Sequence, residues 1–401
     1  MMTMKNHMKK HSYPRYYDEP YRTTLETRVV SVEGSKVVLG ETIFYPEGGG
    51  QGGDWGTVND CPVLDTVPGD DEEIIHLVRD PAFKAGDRVV LTLDWNRRFH
   101  FMKNHTAQHA ASGILFKHFG IGTVSVHLGT EVMMIEVDRQ EVPDSVCLEL
   151  QSLVNRAIVE GHPVTSETKS HEDAEALGLR RPIKVEGDVR LVHVDGVDTI
   201  ACGGLHVSNT REIGLFLYEG QEKIRSHARL IFTVGEVAWN RVLLNRTIVD
   251  QLGTLHSSPP ETLVETATKA CEAATSEKAL LGRLRNRLAS VLLDLKLAGE
   301  TDPLPVITWE VEDEITLKDL AQAASRVANL ALCATLRLED GKLAWLIVLT
   351  GEGAAKLDIA KHRSDLLSSI NGKGGGKAPI FQGVGEGDPA ELFARFRDLL
   401  R

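Results

Sequence analysis

Residues 105–109 read HTAQH, and residues 202–206 read CGGLH. Each is a pair of potential metal ligands spaced i, i+4, a spacing that on a helix puts side chains on one face about 5–6 Å apart at Cβ. If both pairs serve one ion, the chain must fold back so that the two stretches meet inside a single domain. Zinc suits the set, being borderline-soft and content with mixed nitrogen and sulfur ligands. His105, His109, Cys202 and His206 are therefore the expected ligands, with one Zn2+ per chain. The first pair is not HExxH, because Thr106 stands where a metalloprotease carries its glutamate base. Nor does either stretch carry the zinc deaminase pattern, which needs a glutamate two residues after a histidine and a CxxC.

A chain of 401 residues is too long for one ordinary core. The expected class is α+β, in five blocks. Residues 1–23 form an N-terminal extension. Residues 24–96 alternate apolar and polar, as in TRVVSVEGSKVVLG and DRVVLTLDW, and read as a small β-barrel. Residues 97–235 hold both ligand pairs and mix helical and strand-like spacing, with a helix near 98–117 and another at 143–160 capped by Asp144 or a neighbour. Residues 236–300 read as a long helical hairpin or coiled coil. Its seam is Leu281, Leu284, Leu288, Val291 and Leu295. Residues 301–401 alternate strands and helices as an α/β domain.

The formal net charge of −12 excludes a generally sticky nucleic-acid binder but not local basic surfaces. Three stretches run against that sign. The first holds Lys5, Lys9, Lys10, Arg15 and Arg22; the others fall within 277–296 and 356–377. Five scattered cysteines fit a reducing compartment, hence the cytoplasm. The most apolar run, LAWLIVL at 343–349, has the length of a buried strand, so no membrane partner is expected.

At 40–56 the chain reads GETIFYPEGGGQGGDWG. Three consecutive glycines let the backbone approach a partner closely, and Gln51 can donate and accept within that wall. In order, TIFYPEGGGQGGDWG, NHTAQHAAS and ACGGLHVSNTREIG resemble the editing domain of alanyl-tRNA synthetase and its freestanding relatives. IRSHARLIFTVGEVA is similar to the strand that follows. The likeness runs from Tyr16 onward, without the ATP-binding part that begins a synthetase, and so points to the long AlaX type with a C-terminal DHHA1-like domain. Two departures stand out: Leu205 occupies a position where many relatives carry threonine, and lysine interrupts the glycine run of GKGGGK.

The resemblance implies a hydrolase that removes serine, and in some members glycine, from mischarged tRNA for alanine. It implies Thr42 and Gln51 in the substrate pocket, with the Thr42 hydroxyl reading the serine side chain. Gln51 and Gly203 are the implied catalytic positions, the backbone at Gly203 and Gly204 offering N–H donors to an oxyanion. It also implies tRNA contact by Lys373, Gly374, Gly375, Gly376 and Lys377, in NGKGGGKAPIFQGVGEGD at 371–388. Four protein ligands describe a closed site, whereas catalysis usually keeps a position open. His206 swings away, the ion becomes five-coordinate, or zinc only positions substrate; the sequence leaves all three standing. Two other functions stand beside editing: a tRNA-binding or regulatory protein with a purely structural zinc, and a zinc hydrolase of small esters. A homodimer through the hairpin or the C-terminal domain is the further partner considered.

Overall fold

The computed structural model describes residues 12–70, 73–312 and 314–401. Lys5, Lys9 and Lys10 lie outside them. The chain separates into two compact units, Met1–Val249 and Asp250–Arg401.

In the first unit, six strands close into a barrel: β1 (Thr24–Glu33), β2 (Lys36–Leu39), β3 (Gly56–Val58), β4 (Cys61–Pro68), β5 (Ile74–Val78) and β6 (Arg88–Leu93). They run in the order β1-β2-β5-β4-β3-β6, every pair antiparallel. Alternation directs Leu25, Val29, Val37, Leu39, Val89 and Leu91 into one apolar core. His76 of β5 is a polar residue fully buried there. Its Nδ1 lies 3.1 Å from the Val37 carbonyl and its Nε2 2.7 Å from the Thr42 hydroxyl.

Helix α1 (Trp95–Phe119) follows the barrel directly. Asp94 caps it by accepting from the Arg97 N–H, and Gly120 ends it in the left-handed region at φ 62°. Every residue from Asn104 to Leu115 is buried, so this helix has no wet face along its middle. It packs with the helix Asp144–Glu160 and a four-stranded antiparallel sheet around one large core. In that sheet Phe216–Ile224, His227–Val234, Met133–Val137 and Thr123–Leu128 are successive neighbours. The helix at 144–160 receives no side-chain cap; Asp144 lies in its first turn and accepts from the Tyr218 hydroxyl. A separate three-stranded sheet, Val164–Lys169, Val189–Val194 and Asp198–Ala201, brings the chain to Cys202.

The expected hairpin is not a block of its own. Its first helix, Glu236–His256, crosses the boundary between the units, and its second spans Leu263–Leu297. Leu281, Leu284, Leu288, Val291 and Leu295 are all exposed, while Ala289 and Leu293 turn into the core of the second unit. There a five-stranded sheet is ordered Val306–Val311, Leu330–Arg337, Leu343–Thr350, Ile380–Gly385, Lys373–Lys377, with only the first pair parallel. Its two central strands are apolar on both faces because separate clusters cover each side. No helix among the described residues is long and apolar enough to cross a membrane.

Burial holds His76 neutral, its pKa lowered from 6.5 to about 4. Between those values the unfolded chain carries a proton that the folded chain refuses. Stability is therefore fully present above pH 6.5 and falls as the pH drops towards 4, by about 3 kcal/mol for this shift. In His76→Gln the urea midpoint should fall less steeply across that window than in the unsubstituted chain. Equal slopes would mean that the barrel admits a protonated His76.

Candidate metal centre

Helix α1 carries His105 and His109 one turn apart on its buried stretch, and the loop after Ala201 returns Cys202 and His206 to them. Their ligand atoms all lie within 4.8 Å of one another. The Cys202 Sγ is 3.4 Å from His105 Nε2 and 3.6 Å from His206 Nε2. Zinc bonds of about 2.3 Å to sulfur and about 2.0–2.1 Å to nitrogen, set at tetrahedral angles, would place such atoms about 3.6 Å apart. The donor set therefore fits Zn2+ in both chemistry and spacing.

Neighbouring groups decide which ring nitrogen faces the centre. Gln51 Oε1 lies 3.1 Å from His105 Nδ1 and accepts its proton, which leaves Nε2 for a metal. Thr106 Oγ1 donates to the Met102 carbonyl, so it accepts from His206 Nδ1 at 3.2 Å and from the Val207 N–H at 3.2 Å. Gln51 Oε1 also accepts the Leu205 N–H at 3.3 Å. His109 makes no hydrogen bond, and its Nδ1 is buried.

The cysteine is held by its own loop. The Gly204 N–H points at Cys202 Sγ at 3.3 Å, and the Tyr17 hydroxyl donates to the Gly203 carbonyl at 2.9 Å. Arg190, on the strand beside the loop, donates from one nitrogen to the carbonyls of Cys202 (2.8 Å) and Gly204 (3.0 Å), while its guanidinium lies over the Tyr17 ring. Gly204 is obligatory: a Cβ there would sit 2.0 Å from His105 Cε1.

Burial is the largest influence on the charge of the set. It pushes His105 and His206 well below the usual imidazole range, assisted by the neighbouring histidines and Arg190, and lowers His109 to about 3. Burial also raises the Cys202 thiol. At neutral pH the protein thus presents three neutral imidazoles. A divalent cation would offset the burial cost of the thiolate, since a coordinating thiol is deprotonated by the ion. The centre borders a cavity of about 400 Å³ whose lining includes Tyr16, Tyr17, Tyr45, Gln108, Arg181 and Gly203.

Comparison with known proteins identifies the family. A family model described as the threonyl and alanyl tRNA synthetase second additional domain matches residues 189–231. The alanyl-tRNA editing protein AlaX-L of Pyrococcus horikoshii is 30% identical, with 94% of this chain and 96% of the relative covered. The chain belongs to the alanyl-tRNA editing protein family. A second member with similar coverage is the alanyl-tRNA editing protein Aarsd1-A of Xenopus laevis, 28% identical over 90% of this chain and 91% of its own. The alanine--tRNA ligase of Pyrococcus abyssi is 30% identical over 92% of this chain, which spans 41% of that ligase.

The residues expected at the site divide among three places. The four ligands, Gln51 and Gly203 come together. Thr42 does not join them. Its hydroxyl bonds His76 Nε2 and accepts the Phe44 N–H at 3.0 Å inside the barrel, and Thr42 is absent from the cavity lining. Its proton and one of its two acceptor positions are engaged there, which leaves one acceptor position on the Thr42 oxygen.

The run Lys373–Lys377 belongs to the second unit, where it forms an edge strand paired only with Ile380–Gly385. Two of its glycines are packing positions. A Cβ on Gly374 would meet Gln382 O at 2.4 Å and the Trp345 ring at 2.7 Å, and one on Gly376 would meet Ile380 O at 2.3 Å. Gly375 faces Arg363 with room to spare, and Lys373 and Lys377 are exposed.

Sequence reasoning missed Tyr17, Arg190 and the accepting role of Thr106. Tyr17 and Arg190 belong to no spaced motif, and Thr106 is not a ligand position of its own; each acts through a contact with the CGGLH loop. A test of this geometry compares two adjacent glycines. Gly204→Ala should lose stoichiometric zinc on dialysis, whereas Gly203→Ala, whose Cβ would meet only Tyr17 Oη at 3.7 Å, should retain it. Equal retention in metal analysis would show that the loop relaxes away from His105.

Proposed function

We propose that this chain is a trans-editing aminoacyl-tRNA hydrolase that deacylates tRNA for alanine mischarged with serine, and with glycine, in the cytoplasm. The observation that carries this reading is the convergence of His105, His109, Cys202 and His206 beside an open cavity, in a chain aligned over nearly its whole length with editing proteins.

Zn2+, when bound, would supply a Lewis acid at the edge of the cavity. The chain's residues supply orientation. Gln51 and Thr106 hold His105 and His206 in the tautomers that leave Nε2 free. Tyr17 and Arg190 fix the carbonyls of the Cys202–Gly204 turn. With the Gly204 N–H committed to sulfur, the Gly203 N–H is the backbone donor of this turn left without a protein acceptor, and it stabilises the developing oxyanion. Gln51 Nε2 is buried without an acceptor and is the spare donor nearest the ligands, suited to a substrate oxygen. Tyr16, Tyr17 and Tyr45 give the cavity an aromatic wall against which the terminal nucleoside rests.

The fourfold protein ligand set favours one competing reading, a tRNA-binding protein with a closed structural zinc. Incubation of the purified protein with Ser-, Gly- and Ala-charged tRNA for alanine separates the two. Editing predicts release of serine, with alanine spared, and a loss of about 100-fold or more in Cys202→Ala together with its zinc. RNA binding and full zinc occupancy without release of serine would establish the structural reading instead.

A further inference from the structure

Next to the metal cavity lies a second of about 400 Å³, and the two share Arg181, Ile200, Ala201, Cys202 and Gly203. Its remaining lining includes Lys184, Arg190 and a single acid, Asp188. Two consecutive arginines approach this region with opposite fates. Arg180 is buried and pairs bidentately with Asp198, both bonds 2.9 Å. That approach is close enough that a Cβ on Gly113 of α1 would meet the Asp198 Cβ at 2.7 Å. Arg180 is thus a neutralised anchor. Arg181, half-buried, has no carboxylate partner; its one side-chain bond runs to the Val124 carbonyl at 3.3 Å. Lys184 is exposed and forms no ion pair among the described residues. Ile183, between them, packs on a small core with Ala174, Val189 and Leu191, so the segment is seated rather than loose.

Uncompensated cations that converge on one cavity stand out in a chain of net charge −12. Some surface cations here pair with nearby acids, as Lys342 does with Asp340 and Arg22 with Glu19, and others, such as Lys373 and Lys377, do not; what sets Arg181 and Lys184 apart is that they line one cavity adjoining the candidate metal centre. Cations beside an aromatic-walled pocket are the arrangement that holds a single-stranded nucleic acid, the backbone following charge while a base stacks. Tyr17, at the mouth of the first cavity, is 37% exposed.

We propose that Arg181 and Lys184 form a phosphate track for the unpaired 3′ tail of an RNA whose terminal nucleoside enters the metal cavity. The proposal rests on the editing reading for the identity of the RNA, but the track binds the tail whether or not the terminal ester is cleaved. Arg190 borders the same track while engaged with the loop carbonyls. Asp188 limits the track on one side by repelling the backbone.

The test uses the full chain, zinc-loaded, with two uncharged hairpin RNAs: one ends in single-stranded CCA and the other is trimmed to a blunt end. Each phosphate contact on a single strand adds about 0.7 to the slope of log K against log salt. Arg181→Gln with Lys184→Gln should therefore reduce the magnitude of the slope by about 1.4 for the tailed RNA and leave the blunt RNA unchanged. Zinc content serves as the control on folding. An unchanged slope for the tailed RNA overturns the track, and so does an equal reduction for both RNAs, which would place the two cations on the duplex. Slope loss confined to the tailed RNA, with no release of serine by the unsubstituted chain, keeps the track and overturns hydrolysis. Release of serine without slope loss does the reverse.

Discussion

One guanidinium fastens together three of the segments on which the candidate centre is built. Arg98 on α1 is fully buried and pairs with Asp54 through Nε and Nη2; Nη2 also donates to the Ile43 carbonyl, and Nη1 donates to that of Pro20. Asp54 in turn accepts the Tyr45 N–H at 2.6 Å. Pro20 follows shortly after Tyr17, Asp54 lies three residues past Gln51, and Arg98 stands two turns before His105. The N-terminal segment, the glycine-rich turn and the ligand helix thus share one anchor. A buried pair of this kind contributes little net stability when both partners are present, because desolvation offsets attraction. Loss of one partner typically costs about 3–5 kcal/mol. Its effect here is register: it sets where Gln51 and Tyr17 stand relative to the histidines.

Given that anchor, the electrostatics of the centre follow from burial. Three imidazoles with ring centroids 4.4–5.0 Å apart would repel one another as cations, and desolvation already keeps them neutral. The protein therefore presents lone pairs in place of positive charge. Arg190 and Arg180 add positive potential on the same side, which lowers the histidines further and partly counters the burial of the thiol. A site of this kind is biased towards a divalent cation because each ligand is less costly to bury when it is bonded to one.

What the sequence showed plainly was whatever repeats at short range. The alternation in β1 and β6 was legible because those strands have one wet face, and so were the ligand pairs, because an i, i+4 spacing survives any tertiary context. Helix α1 gave a weaker signal, since burial on all sides along Asn104–Leu115 erases the polar stripe that marks an amphipathic helix. The seam of the helix Leu263–Leu297 was legible as a face, but the residues beside it that enter the core were not. Heptad spacing identifies an apolar face but not what covers it, and Ala289 and Leu293 were chosen by the sheet they meet. The bond from Thr42 to His76 was not legible, because nothing local announces a partner 34 residues away. Lys373–Lys377 read as a ligand-binding glycine run, although two of its glycines answer to the backbone of the adjacent strand and the Trp345 ring. Contacts distant in sequence are the ones that spacing cannot encode.

The same contacts bear on how a centre with four protein ligands can admit a substrate. A ligand leaves its ion readily only when nothing else holds it. His206 is tied at Nδ1 to Thr106, and the next residue donates its N–H to the same oxygen, so a swing of the His206 ring gives up one hydrogen bond while the backbone beside it stays fastened. At about 1 kcal/mol, and more for a group left buried, that is a real restraint. His105 is held by Gln51, which also secures the Leu205 N–H. Cys202 is fixed through its loop by Arg190 and Tyr17. His109 alone has no hydrogen bond at either ring nitrogen, yet it rides on the rigid middle of α1. Its backbone cannot withdraw, but its ring has no other attachment to lose. Of the four residues that would hold an ion, His109 is therefore the least restrained by its neighbours and His206 and His105 are the most, while Tyr17 and Gly203 stand where the cavity meets the set.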